Sequence, residues 1–367
     1  MININSLFGK LLLTICITAS MSACSLNPHQ SSVLNITHQG NFAAGGKVIQ
    51  SAGQFDDKQL FNSQGQTLHG DHASVFYQIP EHARHYPLVF LHGAGQSAKT
   101  WGTTPDGREG FQTLFLRQHF PVYVVDQPRR GQAGQSTVAA ELPATTNDQA
   151  WFNMFRLGRQ YPNFFKGVQF SQDSTALNQY FRQMTPNTGA YDEQVISDAM
   201  IEVLKKSGDA VLITHSQGGG PGWWTAIKSN QVKGIVAYEP GSGFVFPENE
   251  LPESMPSATG TLSPTPVKMA DFQKLTRMPI IIYYGDNIPT EQNGYAGQQN
   301  AGQDNWRVRL KMAQLWVDKI NQHGGQAQLV HLPDIGIYGN THFPFSDLNN
   351  QQIAELLSQW LHKNKLD

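Results

Sequence analysis

Ser216 lies within the stretch LITHSQGGGPGWW, Leu212–Trp224, where an apolar run gives way to a serine, three glycines and a proline. A serine on a sharp turn between a strand and a helix presents its hydroxyl as a nucleophile. Such a turn needs small neighbours, because the serine backbone is strained and the helix packs close to the strands. The usual spacing is G-x-S-x-G, and here Thr214 stands in place of the first glycine. Pro221 suits an early helical turn, where a missing N–H costs little. A phosphate cradle would instead need a lysine after the glycines, which is absent, and a plain serine–glycine turn is the remaining alternative.

A nucleophilic serine requires a base, an acid to orient that base, and donors for the oxyanion. His92-Gly93-Ala94-Gly95 closes the apolar run PLVFL. A His-Gly turn at that place can offer the Ala94 N–H, with the Gln217 N–H as second donor. His92 itself reads as a turn-stabilising residue. Strand-to-helix elbows of this kind run Ser, acid, His along the chain, so the base is sought late. His331, inside LVHLP, reads as a packed strand residue, and His362 as solvent-exposed. His342, in the loop GIYGNTHFPF, can swing an imidazole over Ser216 and is the expected base. Two carboxylates compete for the acid: Glu239 closes GIVAYE and Asp286 closes IIIYYGD. Asp126, in VVDQPRRG, comes too early and reads as organising a turn, with Arg129 and Arg130 as turn charges or contacts to a cap.

The elements that must position these groups follow from the pattern of apolar runs. The chain has 367 residues, 39% hydrophobic and 15% charged, with a formal net charge of −2. That length suits one large α/β domain or two small ones. The near-neutral balance gives no electrostatic footprint for nucleic acid or acidic lipid. The 13 histidines include no HExxH or paired metal spacing. ASVFYQIP alternates like a half-buried strand, whereas PLVFL, PVYVVD, AVLITH, GIVAYE, IIIYYG and AQLVHL read as buried strands. Helices are expected over 110–118, 192–206, 221–229, 306–322 and 350–362. Strands alternating with helices predict a mostly parallel, doubly wound sheet whose strand C-termini share one edge. The segment 131–188 is dense in aromatics, from Trp151 and Phe152 to Phe170, and reads as a cap over that edge; 287–305, rich in Gln, Asn and Gly, reads as a long surface loop.

The start of the chain has a different character. Lys10, the apolar LLLTICITA and the small residues Ser22 and Ala23 before Cys24 make an export signal too short to span a bilayer comfortably. MSAC resembles a bacterial lipoprotein processing site, with Met21 where Leu is usual, and this implies a lipidated Cys24 as the first mature residue. The only other cysteine, Cys16, lies in the segment to be removed, so no internal disulfide is expected. Ser25 after it implies the outer membrane or periplasm, with the domain held at the membrane through its lipid. A soluble secreted or periplasmic protein, cut by an ordinary signal peptidase, is the alternative.

Taken together, HGAGQSAKTWGTTPDGREGF, YVVDQPRRGQ, THSQGG, AYEPG, YYGDNI and IYGNTHF resemble an unusual group of bacterial α/β-hydrolase carboxylesterases. In that group the acid is a Glu after the sixth strand rather than an Asp after the seventh. The resemblance spans roughly Pro87 to the C-terminus. It implies Ser216 as nucleophile, Glu239 as acid, His342 as base, and Ala94 and Gln217 as oxyanion donors. An esterase of the group has adjacent cysteines at the oxyanion turn, where Ala94 and Gly95 stand here. The expected organisation is a signal over 1–23, a tether and edge region over 24–66, and an α/β-hydrolase domain over 67–367 with its cap at 131–188. The expected activity is hydrolysis of a small carboxylic ester through an acyl-enzyme, needing no cofactor or metal. Acyl transfer by the same triad, or ligand binding on a non-catalytic hydrolase scaffold, are the alternatives.

Overall fold

Runs of β-branched and aromatic residues build the central sheet. In the computed structural model, which describes residues 33–289 and 300–367, it comprises β1 (Ile36–Ala44), β2 (Ala73–Pro80), β3 (Leu88–Leu91), β4 (Val122–Asp126), β5 (Ala210–His215), β6 (Val232–Tyr238), β7 (Pro279–Tyr284) and β8 (Gln326–His331). The expected signal and Cys24 lie outside the described residues. The strands run in the order β1-β2-β4-β3-β5-β6-β7-β8. The first two are antiparallel to their neighbours, and β4 onward run parallel. β3, β4 and β5 are buried along their whole length, which is why they read as unbroken apolar runs rather than alternating ones.

Among the described residues, seven helices of seven or more residues accompany the sheet: α1 (Phe111–Arg117), α2 (Asp148–Met154), α3 (Ser174–Arg182), α4 (Glu193–Ser207), α5 (Gly219–Lys228), α6 (Ala301–Gln322) and α7 (Asn350–Lys363). Apolar stripes of α4, α5 and α6 pack into one core with the sheet, including Met200, Trp223 and Trp316. On the other face α1 meets α7, and Trp101, Phe111 and Phe345 form an aromatic layer. Each such fully buried large side chain contributes about 1.5–3 kcal/mol of hydrophobic stabilisation. Among the described residues no helix is long and apolar enough to cross a membrane.

One stretch differs from expectation in detail. α6 begins at Ala301, inside the expected surface loop, because Asn300 caps it by accepting the Gln303 N–H at 3.1 Å. Asp304 and Asn305 are buried there because Ala258 and Thr259 donate to them. Within 131–188 the chain forms α2, a short hairpin (Gly158–Gln160 with Asn163–Phe164) and α3. Phe164 packs inside this segment, against Phe152, Tyr161 and Phe170. The segment meets the C-terminal edge of the sheet through backbone bonds from Thr185 to Gly95 and from Gln169 to Gly339.

Candidate active site

Ser216 follows the last residue of β5 with φ +52°, in the left-handed region that non-glycine residues avoid. A short 3-10 turn, Ser216–Gly218, then passes directly into α5. Two close approaches explain the glycines around it. A Cβ on Gly93 would lie 2.6 Å from the Ser216 Cβ, so only glycine lets the neighbouring turn pass. A Cβ on Gly222 would lie 2.7 Å from the Thr214 Cγ2, so α5 makes room for the threonine that replaces the usual glycine.

The structure brings His342 and Glu239 together and keeps Asp286 apart from them. The His342 Nδ1–H donates to Glu239 Oε2 at 2.6 Å, and both side chains are 0% exposed. That bond places the proton on Nδ1 and leaves Nε2 with a free lone pair, buried and without a hydrogen-bond partner among the described residues. Asp286 accepts instead from the N–H groups of Asn287 (2.6 Å) and Gly339 (2.7 Å), tying its own turn to the histidine loop. Asp347 braces that loop further by accepting the Thr341 N–H and hydroxyl, each at 2.7 Å.

Glu239 reaches the imidazole because β6 lies beside β5. Tyr238, the last residue of β6, pairs with His215, so the two residues that follow are neighbours at the sheet edge. The Gly241 N–H donates to the Ser216 carbonyl at 3.0 Å and locks the two turns together. His215 supports the base from below, with its Nε2–H on the His342 carbonyl at 2.9 Å.

The Ala94 turn is held from behind. The Gly93 carbonyl receives Arg130 Nη1 at 2.7 Å and His92 Nδ1 at 3.0 Å, while His92 Nε2 accepts the Gln127 N–H at 3.2 Å. A trans peptide points its N–H opposite to its carbonyl, so these bonds fix the direction of the Ala94 N–H, which makes no hydrogen bond among the described residues. Gln217 lies in the first turn of its short helix, where N–H groups have no intrahelical partner. Arg129 pairs with Asp71 at 2.8 Å. Asp126 accepts the N–H groups of Ala98 and Gln132 at 2.6 and 2.9 Å. His331 faces Asp334 with only 10% of its side chain exposed, and His362 faces Asp367 at the surface.

Sequence reasoning passed over Arg156. It is fully buried, with φ +61°, and its guanidinium grips both oxygens of Glu239, with Nη1–Oε2 at 2.9 Å. Its Nε–H donates to the Asp286 carbonyl at 2.8 Å. A lone arginine between Phe155 and Leu157 is the one signal that could have marked it. Burial works against the charge on Glu239, but Arg156 and His342 overcome it and hold its pKa to about 2. Burial lowers His342 to about 4 against the pull of Glu239.

This constellation of a strained serine after the fifth strand, an imidazole with a free nitrogen and a buried carboxylate sits on a fold shared with known proteins. A bacterial esterase solved at atomic resolution superposes with a TM-score of 0.72 at 29% identity, covering 91% of this chain and 98% of its own. A protein named "Probable secreted lipase phiG", from a fungal species (strain ATCC 74256), is 27% identical over 310 residues, spanning 76% of this chain and 82% of that one. Residues 88–356, from β3 into α7, match the alpha/beta hydrolase family, and the chain belongs to that family.

Proposed function

We propose that this hydrolase is a serine carboxylesterase working through an acyl-enzyme, with Ser216 as nucleophile, His342 as base and Glu239 as the acid that orients it. The 2.6 Å contact between His342 and Glu239, which frees Nε2 on the edge occupied by Ser216, carries this reading. The Ser216 hydroxyl gives its proton to His342 Nε2 as its oxygen attacks the ester carbonyl. The N–H groups of Ala94 and Gln217 receive the oxyanion. As the tetrahedral intermediate collapses, His342 returns the proton to the leaving alcohol. Water, deprotonated by the same nitrogen, then attacks the acyl-enzyme, and His342 returns that proton to the Ser216 oxygen as the acid leaves.

A fluorophosphonate probe followed by peptide mapping tests this directly. The expected adduct is on Ser216, and Ser216→Ala should lose both the adduct and turnover of p-nitrophenyl esters. An adduct elsewhere, or turnover retained by that variant, overturns the reading. The bacterial esterase and the fungal lipase support an ester as substrate through their names alone.

We further propose that the protein is exported and held at a membrane by acylated Cys24. The word "secreted" in the name of the fungal relative agrees with export. Metabolic labelling with a clickable fatty acid should mark the native protein and spare Cys24→Ala. Equal labelling of both would remove the anchor.

A further inference from the structure

The triad acid is buried with no exposed surface, so its charge needs a partner inside the protein. That partner does not come from the sheet that carries Ser216, Glu239 and the His342 loop. It comes from the chain directly after α2, in the segment inserted between β4 and α4. There Phe155 and Arg156 are consecutive residues that hold the base and the acid respectively. The Phe155 carbonyl accepts the His342 N–H at 3.0 Å, and the Phe155 ring lies 4.8 Å from the imidazole at 17° to it. Arg156 donates to both Glu239 oxygens, and the Gly285 N–H adds a further donor at 2.6 Å. The guanidinium also lies 5.3 Å from the Trp306 ring, which itself packs 4.1 Å from the imidazole. All three guanidinium nitrogens are engaged within this network.

We infer that Arg156 is a positioning residue for the reaction: it supplies the countercharge that keeps Glu239 ionised and aimed at His342, and it makes the inserted segment part of the catalytic assembly. The inference rests on the Ser216-His342-Glu239 reading. A second consequence follows from charge alone. A carboxylate by itself favours the imidazolium, whereas a carboxylate neutralised by a guanidinium favours it much less. Arg156 thus keeps His342 unprotonated, and able to accept the serine proton, into more acidic solution. The other ionisable groups facing the pair are His215 at the end of β5, Tyr284 on β7, Arg309 on α6 and Asp347 in the histidine loop. None of these donates a hydrogen bond to Glu239 among the described residues, whereas Arg156 donates two.

The test is the pH dependence of kcat/KM for a short p-nitrophenyl ester, measured on the full chain and on Arg156→Met, Arg156→Lys, Glu239→Gln and the double variant Arg156→Met/Glu239→Gln. Arg156→Met should move the acidic limb upward by about one pH unit and lower the plateau at least about tenfold. Arg156→Lys, which keeps the charge but not the fork, should hold the limb near its original place. In the double variant the loss should match that of Glu239→Gln alone within about threefold, because Arg156 acts through that carboxylate. An unmoved limb in folded Arg156→Met, or losses that multiply in the double variant, overturns the inference. If Arg156→Met does not fold, the double variant, which leaves no unpaired charge, still decides by comparison with Glu239→Gln. Full activity in Glu239→Gln would instead overturn the triad reading itself.

Discussion

Ser216 and Glu239 stand side by side at the ends of adjacent parallel strands, each one residue past the paired His215 and Tyr238, and both at positive φ, +52° and +48°. A non-glycine residue in that region costs on the order of 1–2 kcal/mol. Both turns are over-determined by their surroundings: the Gly241 N–H holds the Ser216 carbonyl at 3.0 Å, and the Glu239 N–H donates to the Tyr283 carbonyl at 2.8 Å. Strain at two neighbouring positions turns a hydroxyl and a carboxylate off the sheet edge, where regular strands would point both side chains to one face of the sheet.

The strain at the elbow should therefore be measurable as stability. Ser216→Gly relieves the left-handed conformation and is expected to stabilise the fold by about 1 kcal/mol while abolishing ester turnover. Chemical denaturation of wild type and variant checks this. A destabilised Ser216→Gly would mean that the serine side chain contributes more packing than its backbone stores in strain.

Much of the scaffold is legible in the sequence, because buried parallel strands such as AVLITH and GIVAYE are unbroken apolar runs and their helices are periodic. The serine turn is legible for the same reason, as an apolar run that ends on small residues. The choice between Glu239 and Asp286 rests on the resemblance alone, since both follow strands and only the lateral register distinguishes their neighbours. Arg156 is harder still. Its partner lies 83 residues away, and nothing local distinguishes it from a surface arginine except its apolar neighbours. The start of α6 was hidden because its first turn is polar, and those polar groups find partners only in the folded chain.

The two carboxylates give opposite expectations. Glu239→Gln should lower kcat by about two to four orders of magnitude, as loss of a histidine-orienting carboxylate does. It should also destabilise the protein by about 3–5 kcal/mol, because Arg156 is left buried and unpaired. Asp286→Asn keeps an oxygen for one of its two N–H donors and should stay within a few fold of wild-type kcat. Loss of turnover in a folded Asp286→Asn, with Glu239→Gln still active, would transfer the acid to the seventh strand.

Arg130 holds the peptide whose N–H is the proposed oxyanion donor. Removing it in Arg130→Met should let the Gly93–Ala94 peptide rotate, lowering kcat about 10- to 100-fold with KM little changed, somewhat less than the loss of a donor outright. Affinity for a trifluoromethyl ketone, which forms the same oxyanion, should fall in parallel. A rise in KM at constant kcat would assign Arg130 to substrate binding instead.

Stability should fall on mild acidification, and the buried histidines set the direction. Burial drives His92 to about 3 and His342 to about 4, and it lowers His215 well below the ordinary value. Unfolded, each titrates near pH 6.5, so the stability they contribute is fully present above that value and is lost as pH falls toward 4. Asp347 works the other way. Burial lifts it to about 7, so its native form keeps a proton that the unfolded chain has released above about pH 4, and its contribution is lost as pH rises toward 7. Asp126 and Glu193, also lifted by burial, act in the same sense as Asp347. Near pH 5 the unfolded chain thus binds at most about two more protons than the native one, giving a slope of about 1–3 kcal/mol per pH unit. Urea titrations at half-unit steps from pH 4.5 to 6.5 measure it. Asp347→Asn removes one opposing proton and should steepen the slope by about 1.4 kcal/mol per unit. A stability that stays level across this window would mean that the three histidines are not held neutral in the folded protein.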